Sequence, residues 1–493
     1  MPWRHWIMLW LFLFWLLMPT WARAAEMQGP ARADDHFRLS DLSDYAKNRI
    51  ELADKELTDW KGTADAPLIR EVETRWARYL KHMLGAPTWL DLGVDNQTRF
   101  EYMTHPFRRG EFGTTEQLPV RTRVRMGLNG GPFRFLVEYQ DARSYSVDPG
   151  EIRNNTTINE NDIQQLFVSA TSQNFFSTGL RADVHVGRIN MDMGRRRLVA
   201  RNVFRNTVNA FDGAHFMLSR SKTWSLRAFI TKPVVRHMTS FDQPFAEAGS
   251  LFWGAYYANQ QVSWLQTDLY YFGLQDQTVN TSQRKYSTFG LRLFKNPRVG
   301  EFDYEIESDW QTGSRGSRDH FAYFQHVEAG YTFNRPWQPR FVALYEYASG
   351  TANPNGNYDQ TFDTLFGVRR FDMIPVGVFG PFFRSNITGP GVQLFVQPRA
   401  GVQLYVKYRA WYLAQARDQW VGSGLQDRTG QAGNFLGQDI EVRLRWQINL
   451  NFNLEAGYDH LFKGSYIQTL AQVPGNPSAD DTDYFYVQSV MRF

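Results

Sequence analysis

Segments of about ten residues, in which apolar and polar side chains alternate, recur from Trp89 to the last residue, Phe493. A period of two places successive side chains on opposite faces of a β-strand, so each segment predicts a strand with one apolar and one polar face. The polar face is often charged at successive positions, as in runs 120–126, 302–309, 402–409 and 440–446. The chain from residue 89 onward therefore predicts antiparallel strands joined by turns.

A soluble β-sandwich also alternates, but three observations favour a membrane barrel. Successive ionised side chains cannot enter a dry sandwich core. Aromatic residues make up 16% of the chain and cluster near strand ends, as in the interfacial girdles of membrane barrels. These clusters are Trp253–Tyr257, Tyr270–Phe272 and Trp411–Tyr412. After residue 25, no segment approaches the ~18 consecutive apolar residues of a membrane-spanning helix. The predicted fold class is all-β, a transmembrane antiparallel β-barrel whose closure satisfies the backbone in lipid.

The number of alternating segments sets the expected size of the barrel. We expect about 18 strands, or about 16 if two less regular segments, His215–Ser221 and Ile387–Gln397, are not strands. A barrel of this size is too wide for side chains alone to fill, so water and loops should occupy its interior. The final strand should place Phe485, Val487, Ser489, Met491 and Phe493 on one face. Its terminal phenylalanine resembles the end of Gram-negative outer-membrane barrels.

Two segments precede the barrel. In Met1–Ala25, Arg4 and His5 come before an apolar run, and Ala22-Arg23-Ala24 offers the small residues that a signal peptidase requires. This pattern predicts a cleaved signal peptide and export to the bacterial outer membrane. Residues 26–88 predict a short helical segment, either periplasmic or plug-like, because apolar side chains recur there at helical spacing. The predicted domains are thus 1–25, 26–88 and 89–493.

Charge and cysteine content narrow the possible partners. Loss of Arg4 and Arg23 with the signal peptide lowers the formal charge from +4 to about +2, so nucleic acid is not an expected partner. The chain has no cysteine, which excludes disulfides and thiol catalysis and suits an oxidising compartment. Spacings typical of metal ligands and phosphate-binding glycine motifs are absent, so no metal or cofactor is predicted. We expect a monomer in contact with outer-membrane lipid and lipopolysaccharide.

A stretch between Arg188 and Gly213 contains six arginines and two aspartates without a clean period. Strand parity would direct Arg188 into lipid, so the strand should end or bulge before it and the segment should leave the wall. One interpretation is a solvated basic loop; the other is a cationic constriction held inside the barrel. The predicted constriction residues are Arg188, Arg195, Arg196, Arg197, Arg201, Arg205 and Asp212. Other residues predicted to face the lumen are Arg121, Arg123, Arg125, Arg134, Arg143, Lys407, Arg409, Arg443 and Arg445.

The sequence resembles the alginate-export family of outer-membrane barrels over most of residues 89–493. The residues that carry the resemblance are Glu138–Arg143, Gly187-Arg188, an Arg-Arg-Leu with Phe211-Asp212-Gly213, Phe362–Phe366, and Gly437–Ile440. The resemblance implies a barrel of about 18 strands whose arginine-rich constriction passes an acidic polysaccharide outward. It also implies that Arg188, Arg197 and Arg205 belong to the constriction, with Asp212 as an acidic partner. The segment before Trp89 departs from the family's pattern.

Three functions are compatible with these patterns. The first is export of an anionic polysaccharide, an alginate-like polyuronate, with periplasmic export partners. The second is a passive uptake porin for small anionic solutes, which composition does not separate from the first. The third and least favoured is an outer-membrane hydrolase, because His237, His326 and His460 have no distinctive nucleophile nearby in sequence.

The alternating segments begin only at Trp89, so we predict that deletion of residues 26–87 leaves a barrel that still inserts. The deletion should change gating or partner contact instead. Heat-modifiable migration of the truncated protein from outer-membrane fractions measures insertion. Absence of the folded band would show that this segment belongs to the fold.

Overall fold

The computed structural model describes residues 85–87, 89–145, 153–220, 223–242, 250–276, 283–369, 372–373, 382–449 and 451–492. The predicted signal peptide, nearly all of the predicted helical segment and the terminal Phe493 lie outside these residues. Among the described residues, no helix has the length and apolar character needed to cross a membrane.

The described residues form a closed antiparallel barrel of 18 strands. In chain order the strands are β1 Leu90–Thr104, β2 Thr114–Gly130, β3 Phe133–Tyr145, β4 Asn159–Ser172, β5 Arg181–Ile189, β6 Phe211–Arg220, β7 Trp224–Pro233, β8 Leu251–Asn259, β9 Gln266–Asp276, β10 Arg284–Lys295, β11 Phe302–Arg315, β12 Arg318–Thr332, β13 Arg340–Ala348, β15 Ile387–Arg399, β16 Val402–Tyr412, β17 Phe435–Gln447, β18 Phe452–Lys463 and β19 Thr482–Arg492. A two-residue strand, β14 Tyr358–Asp359, pairs in parallel with β12 beside the wall. The prediction of 18 strands is confirmed, and the two less regular segments correspond to β6 and β15.

The first and last strands close the wall. Thr98 of β1 lies opposite Val120 of β2 on one side and Ser489 of β19 on the other. Each remaining wall strand pairs with its two neighbours, so no sheet edge is left among the described strands. A closed barrel suits a lipid bilayer, because backbone groups at an open sheet edge would find no hydrogen-bond partner in lipid.

Side-chain alternation follows the predicted pattern. In β11, the apolar Phe302, Ile306 and Trp310 are exposed on the outer surface, whereas Glu305 and Glu307 between them are buried inside. The apolar face meets lipid and the ionised face meets the interior. The charged positions are thus the inward positions, as the sequence predicted.

The aromatic clusters divide between the two faces. Successive residues of a strand point alternately inward and outward. The inward members, Tyr256, Tyr270, Phe272 and Trp411, are at most 8% exposed. Tyr256 stacks on Tyr270 with ring centroids 5.1 Å apart. The interpretation of these clusters as interfacial girdles is wrong for this inward half, which packs within the barrel instead.

The connections differ in length at the two ends of the barrel. The turn between β15 and β16 has two residues, whereas connections 190–210, 349–386, 413–434 and 464–481 emerge from the opposite end. Short turns face the periplasm and long loops the outside in barrels of this kind. A tight turn at Gly316-Ser317 is an exception among the outer connections. Two of the long connections turn inward and build the candidate site.

Candidate functional site in the barrel interior

Most of the predicted lumen-facing residues occupy inward positions of strands. Buried or partly buried inward positions hold Arg121, Arg123, Arg125, Arg134, Lys407, Arg409, Arg443 and Arg445. Arg143 is different: it shares its parity with the exposed Phe133 and Tyr145, and its side chain is 37% exposed. It pairs with Asp141 at 2.9 Å on the same outer face. The prediction that Arg143 faces the lumen is therefore wrong, because Ala142 and Ser144 take the inward positions beside it.

The connection 190–210, here called the first inner segment, crosses the barrel interior. At one wall, Arg121 of β2 donates to the carbonyl oxygens of Val203 at 3.1 Å and Arg205 at 2.9 Å. At another wall, Arg197 pairs with Glu305 and Glu307 of β11. β2 and β11 are nine strands apart in an 18-strand wall, on opposite sides. The arginine-rich segment therefore lies within the barrel rather than on its outer surface.

Arg188 is part of the wall at the start of this segment. Of the two predicted outcomes, an end or a bulge of the strand before it, the first is wrong: β5 continues to Ile189, with Arg188 opposite Asp212 of β6. Gly187 has φ +131°, and a Cβ there would lie 2.2 Å from the Leu166 carbonyl oxygen. At this glycine the alternation of exposed and buried positions stops, which sequence parity could not reveal.

The guanidinium of Arg188 is fully engaged. Its Nε donates to Asp212 Oδ1 at 2.9 Å, and its terminal nitrogens donate to the carbonyl oxygens of Ile163 and Asp242. Asp162 lies 3.6 Å away. Arg188 and Asp212 are 9% and 4% exposed. This buried pair joins β5 to β6, and hydrogen bonds within the protein use four of the five N–H donors of Arg188.

Arg197 is the main anchor of the first inner segment. It is 1% exposed and contacts three carboxylates, those of Glu305, Glu307 and Asp372, the last at 2.7 Å. Burial acts to lower the pKa of Arg197, but Asp372, Glu305 and Glu307 outweigh it and hold that pKa well above its ordinary value. Arg197 is thus neutralised by the protein itself.

The arginines next to Arg197 also have acidic neighbours. Arg195 lies 3.3 Å from Glu305. Arg196 lies 3.9 Å from Asp192, which also accepts a hydrogen bond from the backbone nitrogen of Arg201 at 2.8 Å. These contacts bind the segment to β11 and to itself. Glu305 and Glu307 of β11 therefore have part of their counter-charge in the first inner segment. Arg292 of β10 supplies another part, and Asp303 pairs with Arg340 of β13.

A second inner segment comes from the connection between β14 and β15. Its described residues are 360–369, 372–373 and 382–386. Phe366 pairs in parallel with Val199, donating to the Leu198 carbonyl at 2.9 Å and accepting from Ala200 nitrogen at 3.1 Å. Asp372 of this segment binds both Arg197 and Arg384. Sequence reasoning noted the Phe362–Phe366 run only as part of a resemblance and missed its structural role.

A buried cluster of His326, Glu346 and Asp372 supports the second inner segment. Their ligand atoms lie within 4.8 Å of one another, a spacing that could hold a metal ion. Arg409 contacts Glu346 at 2.8 Å, however, and Arg384 and Arg197 contact Asp372. The carboxylates thus already face three guanidinium groups, so the cluster fits an ion-pair network better than a cation site.

A cavity of about 320 Å³ lies between the inner segments and the wall. Its charged lining consists of Arg205, Arg236, Arg284, Arg369 and Asp276. Arg284 is compensated by Asp276 at 2.6 Å and by Asp363 at 2.9 Å. The cavity is therefore cationic. Whether its other arginines are paired with carboxylates determines which ligands it can bind.

Arg205 and Arg236 donate only to neutral oxygens. Both reach Asn209 Oδ1, at 2.6 Å and 2.7 Å. Arg205 also donates to the Thr207 carbonyl at 2.8 Å, and Arg236 to the Asn155 carbonyl at 3.2 Å. Among the described residues, neither has a carboxylate within 4.0 Å. Two guanidinium groups thus share one amide oxygen without a direct ion pair to a described carboxylate, and Asp242 acts on Arg236 only from a longer distance.

The electrostatic strain at these arginines is visible in their pKa values. Burial, followed by the charges of Arg236, Arg369 and Arg121, lowers the pKa of Arg205 well below its ordinary value. Burial lowers the pKa of Arg236, and burial with Arg108 and Arg384 lowers the pKa of Arg369 to about 9. Guanidinium groups stay protonated in proteins, and burial is the largest cause of each shift. At Arg205 the positive charges of Arg236, Arg369 and Arg121 add to it, so an anion beside Arg205 would relieve their repulsion.

Arg201, the remaining predicted constriction residue, is partly buried near Asp192. Its Nε and one terminal nitrogen receive no solvent and make no hydrogen bond. Of the predicted constriction residues, the structure therefore brings Arg205 to the cationic cavity and ties Arg188 and Arg197 into ion pairs. Sequence reasoning missed Arg236, Arg284 and Arg369, which come from other connections or strand ends and carry no local signal of their proximity.

Comparison with known proteins agrees with this architecture. The profile of a family described as alginate export matches residues 88–476. The chain belongs to the alginate export family. No curated protein sequence matches it.

Solved structures with a similar fold are outer-membrane proteins of Pseudomonas aeruginosa. OccK8 (OprE) is 11% identical with a TM-score of 0.54, covering 82% of this chain and 98% of OccK8. OpdK, solved with vanillate, is 12% identical with a TM-score of 0.53, covering 82% and 98%. OccD3 (OpdP) is 9% identical with a TM-score of 0.52, covering 82% and 91%. At such identities the likeness concerns the fold. Family and fold together identify an outer-membrane channel.

The anchoring role of Arg197 leads to a labelling prediction. The chain has no cysteine, so a Val199→Cys variant carries a single thiol at a position that is 0% exposed. Addition of Arg197→Ala removes the guanidinium that joins Glu305, Glu307 and Asp372, which keep only Arg195, Arg292 and Arg384 as cations, and breaking a buried ion pair in this way costs about 3–5 kcal/mol. We expect the segment to be released and the thiol to react about 100-fold faster or more with a maleimide in detergent.

Arg205→Gln in the same Val199→Cys background is the matched control, since Arg205 holds no carboxylate. Its labelling rate should stay close to that of Val199→Cys alone. Equal rates in the Arg197→Ala and Arg205→Gln backgrounds would contradict the anchoring role.

Proposed function

We propose that the barrel exports an anionic polysaccharide, an alginate-like polyuronate, past the cationic cavity. The observation that carries this proposal is the pair Arg205 and Arg236, neither of which has a described carboxylate within 4.0 Å. Guanidinium donors match the planar geometry of a carboxylate. A uronate chain presents one carboxylate per sugar, so successive units can occupy and leave the same site.

The lining of the cavity suits a sugar acid in other respects. Asn155, Asn202 and Asn209 contribute amide groups that can exchange hydrogen bonds with sugar hydroxyls. The volume of about 320 Å³ is at the lower end for small-molecule sites and accommodates a short stretch of a sugar chain. The site is therefore matched to single units of an extended polymer rather than to a folded macromolecule.

Conduction also requires that the polymer be released. A channel must bind its substrate weakly enough at each position for the substrate to move on. Here three other interior arginines are neutralised: Arg197 by three carboxylates, Arg188 by Asp212 and Arg284 by Asp276 and Asp363. Attraction is thereby concentrated at a small number of groups, which favours passage over permanent capture of a polyanion.

A second candidate is passive uptake of small anionic solutes. OpdK, one of the proteins with a similar fold, was solved with vanillate, which is a small carboxylate. The cavity is large enough for such a molecule, and Arg205 with Arg236 would bind its carboxylate in the same way. Polymer and monomer therefore differ in how they block the channel rather than in the group that is recognised.

The remaining expectations from the sequence form part of this proposal. Met1–Ala25 directs export and is removed, and residues 26–88 contact periplasmic partners or close the barrel. The protein functions as a monomer surrounded by outer-membrane lipid and lipopolysaccharide.

Current block in planar bilayers tests the proposal. We predict that polyuronate blocks the native channel at low salt and that equal uronate in monomeric form blocks it far less. Arg205→Gln with Arg236→Gln should weaken block by polyuronate at least about tenfold, since hydrogen bonds to charged groups contribute about 1.5–3 kcal/mol each. The difference should shrink as salt rises and screens the guanidinium charges.

Arg143→Gln with Arg298→Gln is the matched control, because it removes the same charge from exposed positions outside the cavity. Polyuronate should block this variant as it blocks the native channel. Unchanged block in the Arg205→Gln, Arg236→Gln variant would exclude the cavity as the polymer path. Equally strong block by monomeric uronate from both sides would favour the uptake channel.

A further inference from the structure

A turn in the connection after β7 carries Arg236 to the cationic cavity. This turn, residues 236–242, is held against the start of β4 and the residues just before it. The carbonyl oxygen of Arg236 accepts a hydrogen bond from Asn155 Nδ2 at 3.2 Å. The next carbonyl oxygen, that of His237, accepts one from Asn159 Nδ2 at 3.0 Å. The backbone that positions Arg236 is therefore fixed by side chains from another part of the chain.

Asp242 closes the turn and meets Asp162 of β4. Asp242 Oδ1 accepts hydrogen bonds from the His237 nitrogen at 2.7 Å and from Asn159 Nδ2 at 2.9 Å. Asp162 Oδ2 accepts from the Asp242 nitrogen at 2.9 Å and from the same Asn159 Nδ2 at 3.2 Å. The two aspartates are 3% and 0% exposed. One amide nitrogen thus bridges two buried carboxyl groups.

One of the four oxygens in this pair has no donor. Asp162 Oδ1 accepts from the backbone nitrogen of Ile163, and the two bridged oxygens have the donors given above. Asp242 Oδ2 is buried and makes no hydrogen bond. Two carboxylates that share a buried site cannot easily both be ionised, and a proton on one of them removes the repulsion. The oxygen without a donor is the position where that proton fits.

The charged groups around the pair do not replace this proton. Arg188 of β5 lies beside the pair, but its Nε and one terminal nitrogen donate to Asp212 of β6. On the turn itself, Arg236 acts on Asp242 only from a longer distance, and His237 is the other titratable side chain. Within the part of the chain that the structure describes, no basic side chain forms an ion pair with the Asp242 carboxyl.

The protonation of Asp242 gives the turn a dependence on pH. Burial and the neighbouring Asp162 raise the pKa of Asp242 to about 8, while the His237 backbone N–H and the charge of Arg236 act to lower it. In a released turn this carboxyl would be exposed, with the ordinary pKa of about 4. The closed turn therefore binds the proton more tightly, and its advantage over the released turn falls as the pH rises from about 4 to about 8.

We propose that Asp242 carries a proton in neutral solution and, with Asp162 and Asn159, forms a latch that keeps turn 236–242 closed and Arg236 in the cationic cavity. Loss of the proton to alkaline solvent leaves two adjacent carboxylates that repel each other, and the turn is released. The latch itself does not depend on what passes through the barrel. Its effect on transport rests on the proposed function, since Arg236 is one of the two arginines that would bind the polymer.

Electron paramagnetic resonance of a spin label on the turn tests the latch. The chain has no cysteine, so Ser240→Cys in the full-length barrel in detergent carries a single nitroxide at an exposed position. The mobile spectral component should grow with pH, because the closing equilibrium falls by up to about 100-fold between pH 6 and pH 9.5. Asp242→Asn places a neutral side chain of similar size in the latch, so its line shape should be independent of pH.

His237→Gln in the Ser240→Cys background is the matched control, because it removes the other titratable side chain of the turn. It should keep the pH dependence. The Ser240→Cys protein leaves the latch residues unchanged, so misfolding of Asp242→Asn cannot mask the answer. A line shape that stays constant from pH 6 to pH 9.5 would overturn the latch. Equal pH dependence in Asp242→Asn, or its loss in His237→Gln, would overturn it as well.

Current block separates the latch from the proposed function. Polyuronate should block the native channel more strongly at pH 6 than at pH 9.5, whereas its block of Asp242→Asn should be equal at both. Absence of block at either pH would contradict the proposed function, and the line shape would still decide the latch. Block of the native channel together with a line shape that does not respond to pH would overturn the latch alone.

Discussion

The contact of Arg197 with Glu305, Glu307 and Asp372 determines how the interior of this barrel is filled. An 18-strand wall encloses more space than its own side chains can occupy, so the connections that enter it need an anchor. Glu305 and Glu307 come from the wall, Asp372 from the second inner segment and Arg197 from the first. One guanidinium thereby joins three parts of the chain at a single buried point. The parallel pairing of Val199 with Phe366 extends this junction along the two segments.

This junction also determines which charges of the interior are paired. Glu305 and Glu307 of β11 would repel an anionic substrate if they were exposed, but Arg197 of the first inner segment pairs with both, together with Arg292 of β10. Arg205 and Arg236 remain on the other side of the same segment, where Asn209 orients them without neutralising them. An interior with many charges of both signs thus presents a small cationic site. For the acidic polymer that we propose as substrate, attraction at this site has to be local and reversible.

The wall was predictable from sequence because strand periodicity is a local property. Residues 302–310 alternate, and β11 has the faces that this alternation predicts. Arg143 and Arg188 were misplaced for physical reasons that are also local: one has the parity of its outward neighbours, and the other follows Gly187, whose positive φ ends the alternation.

The cationic cavity was not predictable in full. Arg205, Arg236 and Arg369 come from three separate connections, and only the folded chain brings them together. Pairing of Arg197 with β11 is equally non-local, so sequence identified the arginine but not its structural use.

A positive interior charge at Arg205 and Arg236 underlies the proposed function more than any other feature of the barrel. The reversal potential of the native channel in a gradient of dilute KCl measures this charge directly. Fixed guanidinium groups raise the local concentration of anions, and screening weakens them as salt increases. The account predicts a reversal potential of the sign that denotes chloride selectivity, falling toward zero in concentrated salt. A channel that is cation-selective in dilute KCl would contradict it, because the acidic row of β11 would then control the pore.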